Sequence, residues 1–84
     1  MLSEPVGARI RKFREARGWT QEALAAKMQV QGHSTIYPER ITEIEKGRRV
    51  VRPEELVSFA RVFRVQISHL LGVPDYADQE PPSL

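Results

Sequence analysis

The chain has no cysteine, one tryptophan and only two histidines among its 84 residues. Without cysteine it can form neither a disulfide nor a thiolate metal site, which fits a reducing cytoplasm. His33 and His69 are too far apart and too unaccompanied to indicate a metal site. No apolar run approaches the roughly 20 residues of a membrane span, and the start lacks a secretory signal pattern. We therefore expect a cytoplasmic protein with no metal, no cofactor and no membrane contact.

The sequence also lacks the residue sets that enzymes use. It contains no nucleophile beside a general base, no metal-ligand cluster and no glycine-rich phosphate loop. We predict that the protein is not an enzyme. A chain of 84 residues has room for one small hydrophobic core and not for a second. Any effector would therefore act through another protein or through a dimer interface.

Charge is distributed unevenly along the chain. Residues 1–52 hold eleven Lys and Arg against six Asp and Glu, whereas residues 53–84 hold two against five. A basic half is typical of a domain that meets a polyanion with one face. The same charges also fit ordinary solvated helix surfaces, so charge by itself leaves both interpretations open.

Proline and glycine divide the chain into segments in which apolar residues recur at helical spacing, and little alternation indicates a strand. The spacing predicts five helices, over about 5–17, 21–28, 38–46, 54–63 and 67–71. Gly18 supplies the left-handed stop of the first, and Thr20 caps the second. From Asp75 onward the chain is acidic and contains proline, which predicts a flexible tail over 75–84 and a folded domain over 1–74.

Two motifs lie on this helical frame, GWTQEALA over 18–25 and ITEIEKG over 41–47. A basic first helix precedes them, and SHLLG over 68–72 follows. Over about 6–72 the chain resembles the Cro- and phage-repressor-like helix-turn-helix family of DNA-binding regulators. The resemblance implies an all-α, compact five-helix, lambda-repressor-like DNA-binding domain whose helix-turn-helix is formed by helices 2 and 3. It also implies that double-stranded DNA is the partner, with helix 3 in the major groove.

The family resemblance assigns DNA contacts by position. Gln21, at the start of helix 2, falls where the family meets a phosphate, although an unremarkable solvated residue is the alternative. Base edges would be met by residues of helix 3 and its start: Tyr37, Pro38, Glu39, Arg40, Thr42 and Glu43. The two glutamates depart from a comfortable pattern because they repel phosphate. Either they read bases, or they pair with Arg40, Lys46 or a cation of helix 1.

A cationic stretch follows helix 3 and is well placed for backbone phosphates. It consists of Lys46, Arg48, Arg49 and Arg52. Compensation of the helix dipole by Lys46 is a compatible alternative. In the resembled family an arginine of helix 1 often pairs with the glutamate of the second motif. Arg14 and Glu45 occupy those positions here, which predicts a partly buried pair that fixes helix 1 against helix 3.

The connection between helices 2 and 3 is longer than the family's usual turn. Ile36 takes the place of the apolar plug, and Tyr37 takes the place of the usual Ser or Thr cap, a role that tyrosine cannot fill. The extra residues either reach a phosphate, through Gln31, His33, Ser34 or Thr35, or form a neutral insertion. Trp19 is expected to be a hydrophobic anchor beneath the corner of helices 1 and 2.

One recognition helix reads too few base pairs for a useful site, so we expect a homodimer on a palindrome. The predicted dimer surface is apolar and lies at the last helix and its flanks: Val65, Ile67, Leu71, Val73 and Tyr76. The competing function is a protein-interaction module, such as an antitoxin or an adaptor, built on the same fold. In that case a regulatory protein would be the partner, and the two glutamates of helix 3 would suit it.

Overall fold

A computed structural model of the chain describes residues 5–73, and within that range it holds five α-helices and no strand. They are α1 (Val6–Ala16), α2 (Gln21–Val30), α3 (Pro38–Glu45), α4 (Pro53–Phe63) and α5 (Ile67–Leu71). The predicted all-α fold is confirmed, and the helix ends differ from prediction by at most two residues. Tyr76 and the predicted tail over 75–84 lie outside the described residues.

Helix ends follow the local chemistry of the sequence. The Thr20 hydroxyl accepts a hydrogen bond from the Ala23 N–H at 3.0 Å and so caps α2. Gly18, with φ of +68°, turns the chain between α1 and α2. Pro38 and Pro53 occupy the first turns of α3 and α4, where a missing N–H costs nothing. As predicted, Tyr37 gives α3 no side-chain cap.

The core lies between α1, α2 and α3 and is closed by α4 and α5. Its largest fully buried side chains come from every helix and from the loop before α3: Ile10, Leu24, Met28, Ile36, Ile41, Ile44, Phe59, Phe63 and Leu70. Those in helices follow the helical spacing of apolar residues, and Ile36 is the predicted plug of the loop. Val51, in the turn before α4, is an addition that the helical spacing did not identify.

Gly7 allows the backbones of α1 and α3 to touch. A Cβ placed there would overlap the carbonyl oxygen of Ile44, in the last turn of α3. Only glycine permits this approach, because any side chain would push the helices apart. The position therefore fixes the distance between the first helix and the end of α3.

The loop between α2 and α3 is tied to the domain at three points. The Ile36 side chain is fully buried, as its predicted role as plug requires. The Gln29 amide donates to the Ile36 carbonyl at 2.9 Å. His33 Nε2 lies 2.7 Å from the hydroxyl of Ser58, a buried residue of α4. The loop is thus anchored from both sides. Its exposed residues are Gln31, Gly32, Ser34, Thr35 and Tyr37.

Arg9 of α1 and Arg17, which follows that helix directly, bind the carboxyl ends of other helices. Arg9 donates to the carbonyls of Leu70 at 2.9 Å and His69 at 2.7 Å. Arg17 donates to the carbonyl of Phe63 at 2.6 Å. These carbonyls lie at the negative end of the helix dipole, where guanidinium groups are favourable partners. The His69 carbonyl also accepts from the Gly72 N–H at 3.2 Å. Neither contact was predicted from the sequence.

Candidate nucleic-acid interface

The outward face of α3 forms a shallow recess of about 320 Å³. Four of the six predicted base-contact residues line it, together with Thr35 and Arg49: they are Tyr37, Glu39, Arg40 and Glu43. Tyr37 is 57 % exposed at the edge of the recess. The other two, Pro38 and Thr42, are half-buried in α3 itself. The structure therefore brings four of the predicted base-contact residues and one following arginine onto a single surface.

Arg40 is not aimed freely outward from this face. Its Nη1 lies 4.0 Å from Oε2 of Glu55, a buried carboxylate in the first turn of α4. The other oxygen of Glu55 accepts the Arg52 backbone N–H at 2.9 Å. Glu55 was not predicted as a partner of Arg40, because the two residues lie on different helices. The contact orients the Arg40 guanidinium relative to α4.

The two glutamates of α3 have different surroundings. Glu43 lies 3.8 Å from Nη1 of Arg48 in an exposed ion pair. The expected partners of the glutamates were Arg40, Lys46 or a cation of α1. For Glu43 this is corrected, because its partner is Arg48. Within residues 5–73, Glu39 makes no ion pair and is exposed. Glu39 therefore contributes a negative charge that nothing in the described part of the chain neutralises directly.

Gln21 lies in a hydrogen-bond chain that joins α2 to α3. Its amide nitrogen donates to Oε1 of Glu45 at 3.0 Å, and its amide oxygen accepts from the Thr42 hydroxyl at 2.8 Å. A primary amide has two N–H groups, so one donor is left for a further acceptor. The side chain is thereby held at the start of α2, beside the free backbone N–H groups of that helix.

Arg14 and Glu45 form a two-point ion pair between α1 and α3. Arg14 Nε lies 2.7 Å from Oε2, and Nη2 lies 3.0 Å from Oε1. Their side chains are only 11 % and 4 % exposed. The hydrogen bond and charge of Glu45 raise the pKa of Arg14 above its usual value, although burial acts in the opposite direction. Arg14 also donates to the Trp19 carbonyl at 2.8 Å, so the turn before α2 joins the same cluster.

The predicted phosphate-contact residues after α3 all point into solvent. Gly47, with φ of +76°, turns the chain after the helix. The exposed cations along this turn are Lys46, Arg48, Arg49 and Arg52. Arg49 borders the recess of α3 directly. Positive charge thus continues from the end of α3 along one edge of the domain.

The predicted dimer surface is less apolar than its sequence implied. Val65 packs against the core, and Leu71 is half-buried. Ile67 and Val73 are 39 % and 46 % exposed. The remaining predicted residue, Tyr76, lies outside the described residues. The exposed apolar area at α5 therefore comes mainly from two side chains.

Trp19 has the anchoring position expected of it. It is half-buried, packs against the core and stacks on Phe63 with ring centroids 5.8 Å apart. In residues 5–73, no group of three His, Cys, Asp or Glu residues is arranged to hold a metal ion. Nor is any helix in this range both long enough and apolar enough to cross a bilayer.

Comparison with protein families gives one result that bears on this site. A family model described as a helix-turn-helix domain matches residues 5–71. The match covers all five helices, including the α2–α3 pair and the outward face of α3. Comparisons with curated proteins and with solved structures gave no match.

Proposed function

Because the chain belongs to the helix-turn-helix domain family, we propose that it is a transcriptional regulator that binds double-stranded DNA in a sequence-specific way. We place it with the Cro- and phage-repressor-like regulators, in which α2 crosses the phosphate backbone and α3 enters the major groove. The observation that carries this proposal is the outward face of α3, which holds exposed polar side chains and is bordered by a cationic turn.

Base reading is assigned to the residues of this face. Arginine can contact guanine through two hydrogen bonds, and glutamate can accept from the amino group of cytosine. Arg40 is the candidate guanine reader, and Glu39 is the candidate cytosine reader, since no cation of residues 5–73 forms an ion pair with it. Tyr37, Pro38, Thr42 and Glu43 complete the contact set. To contact a base, Glu43 must first leave its ion pair with Arg48.

Phosphate contacts are assigned to both sides of α3. On one side the free N–H of Gln21 and the amino end of α2 form an anion site. On the other side lie Lys46, Arg48, Arg49 and Arg52, which release counterions when they meet the backbone. These contacts fix the register of the domain and carry no sequence information themselves.

A two-fold dimer would place two such α3 helices in successive major grooves, about 34 Å apart. We assign the dimer contact to α5, where Ile67 and Val73 expose apolar surface. The expected operator is a palindrome whose half-sites are separated by about one helical turn.

The test is selection of bound duplexes from a randomised pool, followed by measurement of the winner's affinity across salt concentrations. Enrichment of a palindrome supports a dimeric regulator. If eight phosphates are neutralised, log affinity falls against log salt with a slope of about −7. Weak binding that is indifferent to sequence would overturn the proposal and favour a protein-interaction module, for which the unpaired Glu39 would be a partner contact.

A further inference from the structure

A second surface of the domain is a cationic groove between the carboxyl ends of α1, α2 and α4. The groove is open to solvent and has a volume of about 600 Å³, which is room for a few side chains. Its charged residues are all basic: Arg17, Lys27, Arg61 and Arg64. Trp19 and Phe63 form part of its apolar wall. Gln31, which one interpretation of the loop before α3 gives a phosphate contact, also lines the groove. The base and phosphate contacts proposed above involve none of its residues.

The groove is on the flank of α2 that faces away from α3. Gln21 and Gln29 are turned towards α3 and the loop before it, where they bond Glu45 and the Ile36 carbonyl. Lys27 is turned the other way, with its Nζ 4.5 Å from the centroid of the Trp19 ring. A duplex that holds α3 in its major groove is therefore directed to the other side of α2.

The positive charge of the groove is not balanced by nearby carboxylates. No acidic residue lines it, and among residues 5–73 no ion pair involves Lys27, Arg61 or Arg64. Arg17 is used internally, since it donates to the carbonyls of Phe13 and Phe63. The groove thus offers three exposed cations beside a rigid aromatic wall.

Exposed apolar surface accompanies this charge. Val30, on the groove's edge, is 84 % exposed, and Trp19 remains half-exposed. A phosphate group has no apolar surface to cover these side chains, and a duplex is too wide to enter the groove. A peptide can present carboxylates to arginines and an apolar side chain to an aromatic wall at once.

We propose that the cationic groove docks an acidic segment of a partner protein. Carboxylates of the segment pair with Arg61 and Arg64, and an apolar or aromatic side chain packs against Trp19 and Val30. The groove would connect a DNA-bound regulator to a second protein without competing for α3. This inference goes beyond DNA binding and does not depend on it.

The test uses a short synthetic peptide rich in glutamate with one central phenylalanine, and a control peptide in which glutamine replaces each glutamate. Binding to the full chain is followed by NMR, where the only tryptophan reports on the groove through its indole N–H. We expect the acidic peptide to shift the Trp19 indole and the backbone signals of Lys27 and Arg64 while leaving α3 unchanged. The glutamine peptide should bind at least about tenfold more weakly.

Arg61→Glu/Arg64→Glu is the test variant, and Arg48→Glu/Arg49→Glu is its control with the same change in net charge. We expect the groove variant to weaken peptide binding about tenfold or more and to leave DNA affinity within about twofold. Lys27→Glu, on a different helix, should weaken the peptide in the same direction. A dispersed NMR spectrum is required from each variant as evidence that it is folded.

Four results would overturn the proposal. One is that the acidic peptide does not bind. The first of the other three is equal weakening by both charge-reversed variants, which indicates non-specific attraction. The second is a loss of DNA affinity in the groove variant that matches the loss in its control, which assigns the groove to phosphate. The third is a fall in oligomeric state in the groove variant, seen by sedimentation, which assigns the groove to a second copy of the chain.

Discussion

Arg14 and Glu45 face each other edge to edge across the boundary between α1 and α3, joined by hydrogen bonds of 2.7 and 3.0 Å. Planar guanidinium and carboxylate groups in this arrangement fix orientation as well as distance. Since Glu45 is the last residue of α3, the pair holds the end of that helix against α1. The ion pair therefore governs how α3 projects from the domain.

Removal of one partner leaves a charge that is partly buried and unpaired. We expect Arg14→Ala and Glu45→Gln each to lower the free energy of unfolding by about 3–5 kcal/mol. The double variant should lose clearly less than the sum, because the second change breaks no remaining pair. Urea denaturation of the four proteins measures the coupling energy, and a value near zero would contradict the interpretation. Arg11→Ala is the control, since its exposed pair with Glu15 is worth only about 0.5 kcal/mol.

Gly7 gives a prediction of unusual sign. Glycine-to-alanine changes inside helices ordinarily stabilise by about 0.5–1 kcal/mol. Here the added methyl would overlap the Ile44 carbonyl, so we expect Gly7→Ala to destabilise the domain by about 1–3 kcal/mol. Thermal unfolding checks the sign directly. A stabilised Gly7→Ala protein would mean that α1 and α3 can separate at little cost.

The helices and the core could be predicted because their signals are local. Apolar spacing, Thr20, Gly18 and the two first-turn prolines are readable from neighbouring residues, and the structure confirms the elements that they imply. Gly7 carries no such signal, since its reason is a backbone contact with a residue far along the chain. Such contacts depend on the angle and distance at which two helices pack, and neighbouring residues in the sequence do not determine either.

Pairing on the surface of α3 was harder to predict than the surface itself. The motif placed Glu43 on the outward face, but its partner Arg48 became a neighbour only because Gly47 turns the chain after the helix. Arg40 was likewise assigned to DNA without its buried neighbour Glu55, which comes from another helix. Long flexible side chains choose among several nearby charges, so spacing along one helix does not decide their partners.

The cationic turn after α3 allows a test of DNA binding that is independent of sequence preference. We expect Arg48→Ala/Arg49→Ala to weaken binding to all duplexes and to reduce the salt slope by about two. Arg61→Ala/Arg64→Ala loses the same charge elsewhere and should change the slope little. Fluorescence anisotropy with labelled duplex at several salt concentrations measures both. Equal slopes for the two variants would remove the turn from the interface.

Dimerisation is expected to depend on the apolar side chains of α5 and the residue after its stop. Ile67→Glu and Val73→Glu each place a charge on this surface and should convert a dimer into a monomer. Analytical ultracentrifugation at high micromolar concentration, without DNA, distinguishes the two states. Val50→Glu is the control, because Val50 is 85 % exposed and far from α5 in sequence. A wild-type protein that is monomeric under these conditions would contradict the proposed dimer.

The hydrogen bond of 2.8 Å between Thr42 and Gln21 has one more consequence. On DNA, Thr42 is assigned to a base and Gln21 to a phosphate. The hydroxyl proton of Thr42 therefore links a base-contacting residue to a phosphate-contacting residue. A change at Thr42 removes one of the two hydrogen bonds that hold the Gln21 amide and leaves only its bond to Glu45, so affinity would fall at the backbone as well as at the base. The effects of substitutions at these two positions on DNA affinity would not be additive. A change at Thr42 made to alter sequence preference would also lower the affinity for other DNA sequences.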